Sequence, residues 1–145
     1  MRDVSSNYMT RHVFEASIAI AHPRAEVFAL VADPTRFPLW NSAVTSVEPT
    51  SGSAYLMRRR LPTGEAENGL EIIECEPPAA FAVRTTYGPT PFNYRYRFAD
   101  ADGATIVTLA GDLELVGVFS LVPARAFLHG IDANLTTLRR LLERG

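Results

Sequence analysis

The chain has 145 residues, with 14 basic and 16 acidic side chains and a net charge of −2 at neutral pH. That length suits one globular domain, and 47% apolar with 21% charged residues excludes the disordered and fibrous classes. The small net charge gives no electrostatic reason to bind nucleic acid or an anionic membrane, and no apolar run is long enough to cross a bilayer.

Every basic residue is an arginine, and lysine is absent. The absence excludes a Schiff-base nucleophile, a lysine-bound pyridoxal phosphate and a phosphate-loop lysine. The single cysteine, Cys75, excludes an intramolecular disulfide and any zinc site built from several cysteines. The three histidines fit no metal-ligand spacing, so we expect no metal and no cofactor.

The N-terminal half of the chain begins with a polar segment and then shows strand and helix signals. The first ten residues predict a flexible leader, followed by a single domain over 11–145; because they lack the apolar core of a signal peptide, they indicate a cytoplasmic protein. Alternating apolar residues predict a strand over 12–20. Pro23 then suits the start of a short helix, and Asp33 can cap a second short turn at 34–37.

From residue 42 onwards, turn-forming residues recur at short intervals and separate six predicted strands, at 42–48, 53–61, 66–75, 80–87, 92–99 and 104–115. Short connections make consecutive strands antiparallel neighbours. The last segment, 121–144, is a strongly amphipathic helix and the only large apolar partner for such a sheet. The sequence therefore predicts an α+β fold in which a curved, seven-stranded antiparallel sheet wraps around a long C-terminal helix, with two short helices after the first strand and a space inside.

The order of elements and several local strings resemble the START-like (SRPBCC, helix-grip) superfamily, closest to its bacterial polyketide cyclase/dehydrase and lipid-transport group. The strings are PRAEVF at 23–28, Asp33-Pro34 followed by Trp40, EPP at 76–78, the turn and strand from Gly103 to Thr108, and the ending from Asn134 to Glu143. The resemblance implies the helix-grip fold and a hydrophobic cavity. It transfers no catalytic motif residue by residue, so no catalytic residue is assigned, and fold alone does not define function.

The strands at 53–61 and 66–75 carry the first candidate site residues. Pairing Leu61 with Ala66 across a four-residue turn places Arg59 opposite Asn68 on the inner face. The other inward side chains of this pair are Tyr55, Met57, Leu61, Leu70 and Ile72. Arg59 and Asn68 would anchor a ligand carboxylate or carbonyl inside an apolar pocket. The alternative is that both lie at the rim of the sheet, where Arg59 reaches water.

The strand at 92–99 has the cleanest alternation in the chain. Tyr94 and Tyr96 share one face with two phenylalanines, and Tyr87 of the preceding strand has the same phase. Such a face suits an amphipathic ligand, because the rings supply apolar area and the hydroxyls supply directional hydrogen bonds. The alternative is a packed core in which the hydroxyls reach backbone or water.

The C-terminal helix contributes three candidate residues. Asn134 lies in the middle of the apolar stripe that begins with Phe127, and Gly130 lies one turn before it. A buried amide needs partners, and a glycine would let a ligand or strand approach the helix backbone. The alternative is an asparagine satisfied by a tyrosine of the sheet or by a structural water.

Two aromatic residues are expected at the ends of the internal space. Trp40 follows two prolines and is expected to plug one end, more as a core residue than as a ligand contact, and Phe119 is expected to gate the opposite mouth. On the outer face the arginines form a basic stripe that neighbouring glutamates neutralise in part, so a solvated surface is favoured over a nucleic-acid interface: Arg84, Arg95, Arg97, Glu71 and Glu74.

Three functions are compatible with these patterns. The first is binding or transport of a small hydrophobic or amphipathic ligand, such as a lipid, a polyketide or another aromatic molecule, in the cavity. The second is a polyketide cyclase- or dehydratase-like enzyme using the same cavity, although no acid/base pair is visible. The third is a protein-interaction module like the chaperone activators of the superfamily. We expect no nucleic-acid partner, no stable membrane insertion, and a monomer or homodimer.

Overall fold

The computed structural model describes residues 10–144, with the side chains of Val118 and Phe119 outside the described part. The chain forms β1 (Thr10–Ile20), α1 (Arg24–Val31), a first 3-10 helix (Pro34–Leu39), β2 (Val44–Ser51), β3 (Ala54–Leu61), β4 (Gly64–Glu76), β5 (Ala80–Tyr87), β6 (Phe92–Ala101), β7 (Ala104–Leu115), a second 3-10 helix (Gly117–Leu121) and α2 (Ala124–Arg144). Of the predicted leader, only Thr10 is described, and it belongs to β1 rather than to a flexible segment.

The seven strands form one antiparallel sheet in the order β1-β7-β6-β5-β4-β3-β2. Six of them follow one another as a meander because the connections are short turns, and β1 joins the free edge of β7. The sheet and the long helix α2 confirm the predicted helix-grip architecture. The helix begins three residues later than predicted, at Ala124, because 117–121 forms a separate 3-10 turn before Pro123.

The predicted register between β3 and β4 is wrong by two residues. Leu61 pairs with Gly64 rather than Ala66, and Arg59 pairs with Ala66 rather than Asn68. The reason is Gly64, whose φ of +122° lets the chain reverse within two residues instead of four. A shift of two residues preserves the side-chain alternation, so the inner face keeps its predicted members.

The inner face of the sheet packs against α2 and is closed at one end by the short helices. Ile131, Leu135 and Leu138 are the buried face of α2. At the closed end, Phe28 of α1 meets Phe98 edge to face at 5.3 Å between ring centroids. Burial of these aromatic and aliphatic side chains supplies the main stabilisation of the domain.

The outer face of the sheet is charged and paired. Arg84 forms an ion pair with Glu71 at 2.9 Å, and Arg95 forms one with Glu74 at 3.0 Å. These pairs neutralise part of the basic stripe, which is the arrangement of a solvated surface. Across residues 10–144, no helix is long and apolar enough to cross a membrane.

Candidate functional site

A cavity of about 410 Å³ lies between the sheet and α2. Its size falls within the range of small-molecule sites, and at roughly 30 Å³ for each water-sized group it has room for about fourteen non-hydrogen atoms. Its wall is mainly aromatic and aliphatic, drawn from the first 3-10 helix, β3, β6, β7 and α2. Eight of the twelve predicted site residues line it: Trp40, Met57, Arg59, Tyr94, Tyr96, Phe127, Gly130 and Asn134.

Of the other four predicted site residues, three have described side chains, and these do not line the cavity. Tyr55 is half-buried and packs against the edge of the core. Asn68 is completely buried but lies behind the wall. Tyr87 is 57% exposed, because a bulge in β5 at Thr86, opposite Gly69 and Leu70, changes the pairing, and the ring of Tyr87 lies over Gly69 instead of facing inward. The side chain of Phe119 lies outside the described part of the structure.

Arg59 is the main polar group of the wall. Its side chain is held by a hydrogen bond to Asn68, which is itself held by further hydrogen bonds. Strand alternation turns it inward from β3, and it is only 8% exposed. Its Nε donates to Oδ1 of Asn68 at 2.9 Å, although the two residues are diagonal rather than direct neighbours across the strands. Asn68 is itself held by its amide nitrogen, which donates to the carbonyl oxygens of Tyr87 at 3.0 Å and Pro89 at 2.9 Å.

The loop between β5 and β6 supplies the other acceptors for Arg59. Nη2 donates to the carbonyl oxygens of Pro89 at 2.7 Å and Thr90 at 3.2 Å, and to the hydroxyl of Thr90. Thr90 is buried and has a φ of +48°, which is strained for a β-branched residue and costs about 1–3 kcal/mol. The strained backbone aims these oxygens at the guanidinium.

Sequence reasoning missed Thr90. The signal that could have found it is its position between two prolines, because Pro91 has no N–H to pair its loop into a sheet and leaves nearby carbonyls available. Phe92, which follows, also contributes: its ring lies 5.4 Å from the guanidinium carbon of Arg59, in the range of a cation–π contact.

The two tyrosines of β6 place hydroxyls in a dry part of the wall. Burial raises the pKa of both Tyr94 and Tyr96 above the usual range, and the positive charge of Arg59 opposes the rise at Tyr94. Burial likewise lowers the pKa of Arg59, which stays charged because arginine starts so high. No hydrogen bond joins either tyrosine hydroxyl to another residue in the described range 10–144. Both hydroxyls are therefore neutral donors with spare capacity.

The helix side of the cavity has one polar group and one gap. Oδ1 of Asn134 accepts from the backbone N–H of Ser42 at 3.2 Å, so α2 is tied to the loop before β2 rather than to a tyrosine or a water. Gly130 is exposed and lines the cavity, and nothing lies within 4 Å of the position that a Cβ would take there. The mouth of the cavity therefore opens beside Gly130.

Trp40 closes the other end. It is 3% exposed and packs edge to face on Phe37 at 5.7 Å and on Tyr96 at 6.2 Å. Its indole Nε1 is buried and has no hydrogen-bond partner among the described residues. A buried N–H group without an acceptor lowers the stability of the fold unless a bound molecule accepts its hydrogen bond.

The chemistry available in the cavity is binding and orientation more than proton transfer. Among the described residues the wall contains no aspartate, glutamate or histidine, and the two tyrosines resist ionisation. No cluster of three or more histidine, cysteine, aspartate or glutamate side chains within 10–144 is placed to hold a metal.

The architecture is a helix-grip fold with a cavity between the sheet and α2. The chain belongs to the family described as "Polyketide cyclase / dehydrase and lipid transport", whose model matches residues 11–143. This confirms the resemblance drawn from the sequence. A comparison with curated proteins finds no significant match.

Solved structures with this fold are numerous, and all those named here are distant in sequence. A START superfamily protein from Mycobacterium smegmatis superposes with a TM-score of 0.76 at 12% identity, covering 92% of this chain and 98% of that one. DR_A0006 from Deinococcus radiodurans gives 0.72 at 19% identity, covering 89% and 95%. The di-domain ARO/CYC protein StfQ of the steffimycin biosynthetic pathway gives 0.73 at 13% identity, covering 90% of this chain and 44% of that one. Identities this low show a shared fold.

Proposed function

We propose that the chain binds a small, mainly apolar ligand in the cavity between the sheet and α2, and carries or presents it. The observation that carries the proposal is the cavity itself: about 410 Å³ of space, bounded by aromatic and aliphatic side chains, with a few fixed hydrogen-bond donors. Well-packed protein cores do not leave space of this size. The family description, which includes lipid transport, supports the same class of function.

A second candidate is a cyclase- or dehydratase-like enzyme acting in the same cavity. The family description and the likeness to StfQ favour it. In such an enzyme Arg59 would polarise a ligand carbonyl and a tyrosine would relay a proton. The described part of the wall has no carboxylate or imidazole to accept a proton at neutral pH, so binding without catalysis is the better-supported function.

The third candidate, a protein-interaction module, has less support. Its most visible surface would be the basic stripe on the outer face, and two arginines of that stripe are already paired with glutamates. Paired, solvated charges offer a partner little net attraction.

A series of primary alcohols of increasing chain length tests the proposed function. Calorimetric affinity should improve by about 0.8 kcal/mol for each added CH₂ until the chain fills the room for about fourteen non-hydrogen atoms, and should then level off. Affinity that keeps rising past that length would indicate adsorption to an outer surface. Absence of binding at every length would refute the proposal.

Turnover of a polyketide-like poly-β-ketone thioester would distinguish the enzyme from the carrier. For an enzyme, Tyr94→Phe should reduce product formation at least tenfold while affinity for the alcohols stays within about twofold of wild type. For a carrier, the thioester should react no faster with wild type or with the variant than it does without protein.

A further inference from the structure

The cavity wall carries a positive charge that no acidic side chain of residues 10–144 neutralises. Arg59 is 8% exposed, and none of the ion pairs among the described residues includes it. Its acceptors are an amide oxygen, two carbonyl oxygens and a hydroxyl, all uncharged. Neutral acceptors return only part of the free energy lost when a cation leaves water. The site therefore favours an anion.

One side of the guanidinium is left for that anion. Nε is occupied by Asn68, and Nη2 is occupied by the loop at 89–90. Nη1 carries two further N–H groups, and within the described chain it has no hydrogen-bond partner. It is not one of the buried polar atoms sealed off from solvent, and Arg59 lines the cavity. Nη1 is thus the nitrogen that a bound molecule can reach.

The surroundings select an anion with a single charge. A phosphate monoester brings about two charges and three acceptor oxygens, and it would need a second cation. The one other arginine in the described wall, Arg60, is exposed, and strand alternation places it on the opposite face of β3 from Arg59. The ring of Phe92 lies beside Arg59 instead. A carboxylate carries one charge and pairs well with one arginine.

We propose that the ligand of this cavity is an amphipathic carboxylic acid, bound as its carboxylate to Nη1 of Arg59, with its apolar body between β6 and α2. This rests on the proposed function, because it names the chemical class of the molecule held in the same cavity. The hydroxyl of Tyr94 stays protonated and interacts electrostatically with Arg59, so it is available as a second hydrogen-bond donor to the carboxylate. The fixed Asn68 and Thr90 contacts hold the guanidinium in place before the ligand arrives.

The test compares acids with their neutral amides on three proteins. Calorimetry at neutral pH measures 2-naphthoate against 2-naphthamide, and decanoate against decanamide; all four fit the room for about fourteen non-hydrogen atoms. The proteins are wild type, Arg59→Met and Arg97→Met, the last removing an exposed arginine from the outer face. Each acid should bind wild type about 10- to 100-fold more tightly than its amide. Arg59→Met should abolish that preference because acid affinity falls about 10- to 100-fold more than amide affinity, and Arg97→Met should leave the preference unchanged.

Each other result has a distinct meaning. Equal affinity of acid and amide for wild type would overturn the carboxylate proposal and leave the proposed function standing. Failure of all four compounds to bind wild type would remove both. An acid preference that survives in Arg59→Met would place the anion elsewhere and overturn the proposal.

A measurement on wild type alone decides the matter if Arg59→Met does not fold. The groups that face Arg59 are neutral, and the titratable one among them is Tyr94, which stays protonated through the acidic range. Acid affinity should therefore fall by up to about tenfold per pH unit below the ligand's own pKa, which lies between about 4 and 5, until it reaches that of the amide, while amide affinity stays flat over the same range. An acid profile as flat as that of the amide would overturn the proposal.

Discussion

Gly130 is the position where the cavity can be filled with least damage to the fold. A glycine inside a helix costs about 1 kcal/mol relative to alanine, and no atom lies within 4 Å of its would-be Cβ. Gly130→Leu should therefore raise the free energy of unfolding by up to about 1 kcal/mol, which for a chain of this length raises Tm by about 3 °C. Most substitutions that disturb a binding site lower stability, so a rise is a distinctive outcome.

The same leucine should block ligand binding. Its side chain has four carbons, and each ligand CH₂ that it displaces from the wall loses about 0.8 kcal/mol. Full displacement costs about 3 kcal/mol, or roughly a 200-fold weaker Kd for a long-chain alcohol measured by calorimetry. Ala133→Leu is the matched control, because Ala133 is an exposed residue of α2 outside the cavity wall and should leave the affinity unchanged. Unchanged binding in a stable Gly130→Leu protein, or a marked loss of stability, would refute the mouth assigned here.

Two further predictions concern the buried polar groups. Asn68→Leu should lower the free energy of unfolding by about 3 kcal/mol in urea titrations, because the Tyr87 carbonyl and Nε of Arg59 lose their hydrogen-bond partner. The control is Asn93→Leu at an exposed position, which should change the free energy of unfolding by less than about 1 kcal/mol. Equal effects of the two substitutions would contradict the role of Asn68. Because burial raises the pKa of two tyrosines, the folded state retains protons that the unfolded state releases above about pH 10, so stability should hold below that pH and fall above it by up to about 2.7 kcal/mol per unit. With no lysine to titrate in the same range, urea titrations of wild type and of a protein with both tyrosines changed to phenylalanine isolate the effect; an identical alkaline loss in the two would contradict it.

Side-chain alternation is the part of the site that the sequence predicts well. The two-residue period of β3 and β6 places Arg59, Tyr94 and Tyr96 on the inner face of the sheet. The error in the β3–β4 register does not change this, because it is an even number of residues. The fold can be predicted from the sequence for the same reason, because seven alternating strands and one amphipathic helix have few ways to bury their apolar faces.

Hydrophobic periodicity does not predict local backbone conformation or the contacts made by loops. The β3–β4 turn length depends on a positive φ at Gly64, and the outward turn of Tyr87 depends on a bulge in β5 at Thr86, neither of which changes the apolar pattern. The partners of Arg59 at 89–90 and of Asn134 at Ser42 come from loops far away in sequence, where periodicity carries no information.

The way α2 is attached has a consequence for how fast the cavity can exchange its contents. The backbone hydrogen bonds of the helix are internal, and its N-terminal third, from Ala124 to Gly130, is largely exposed. Sheet and helix are therefore joined by side-chain contacts, which can separate locally without breaking a strand pairing. Local opening costs less than global unfolding, so amide protons in this third of the helix should exchange with solvent faster than those after Leu135. Release of a bound molecule would then follow the rate of that opening rather than the stability of the whole domain.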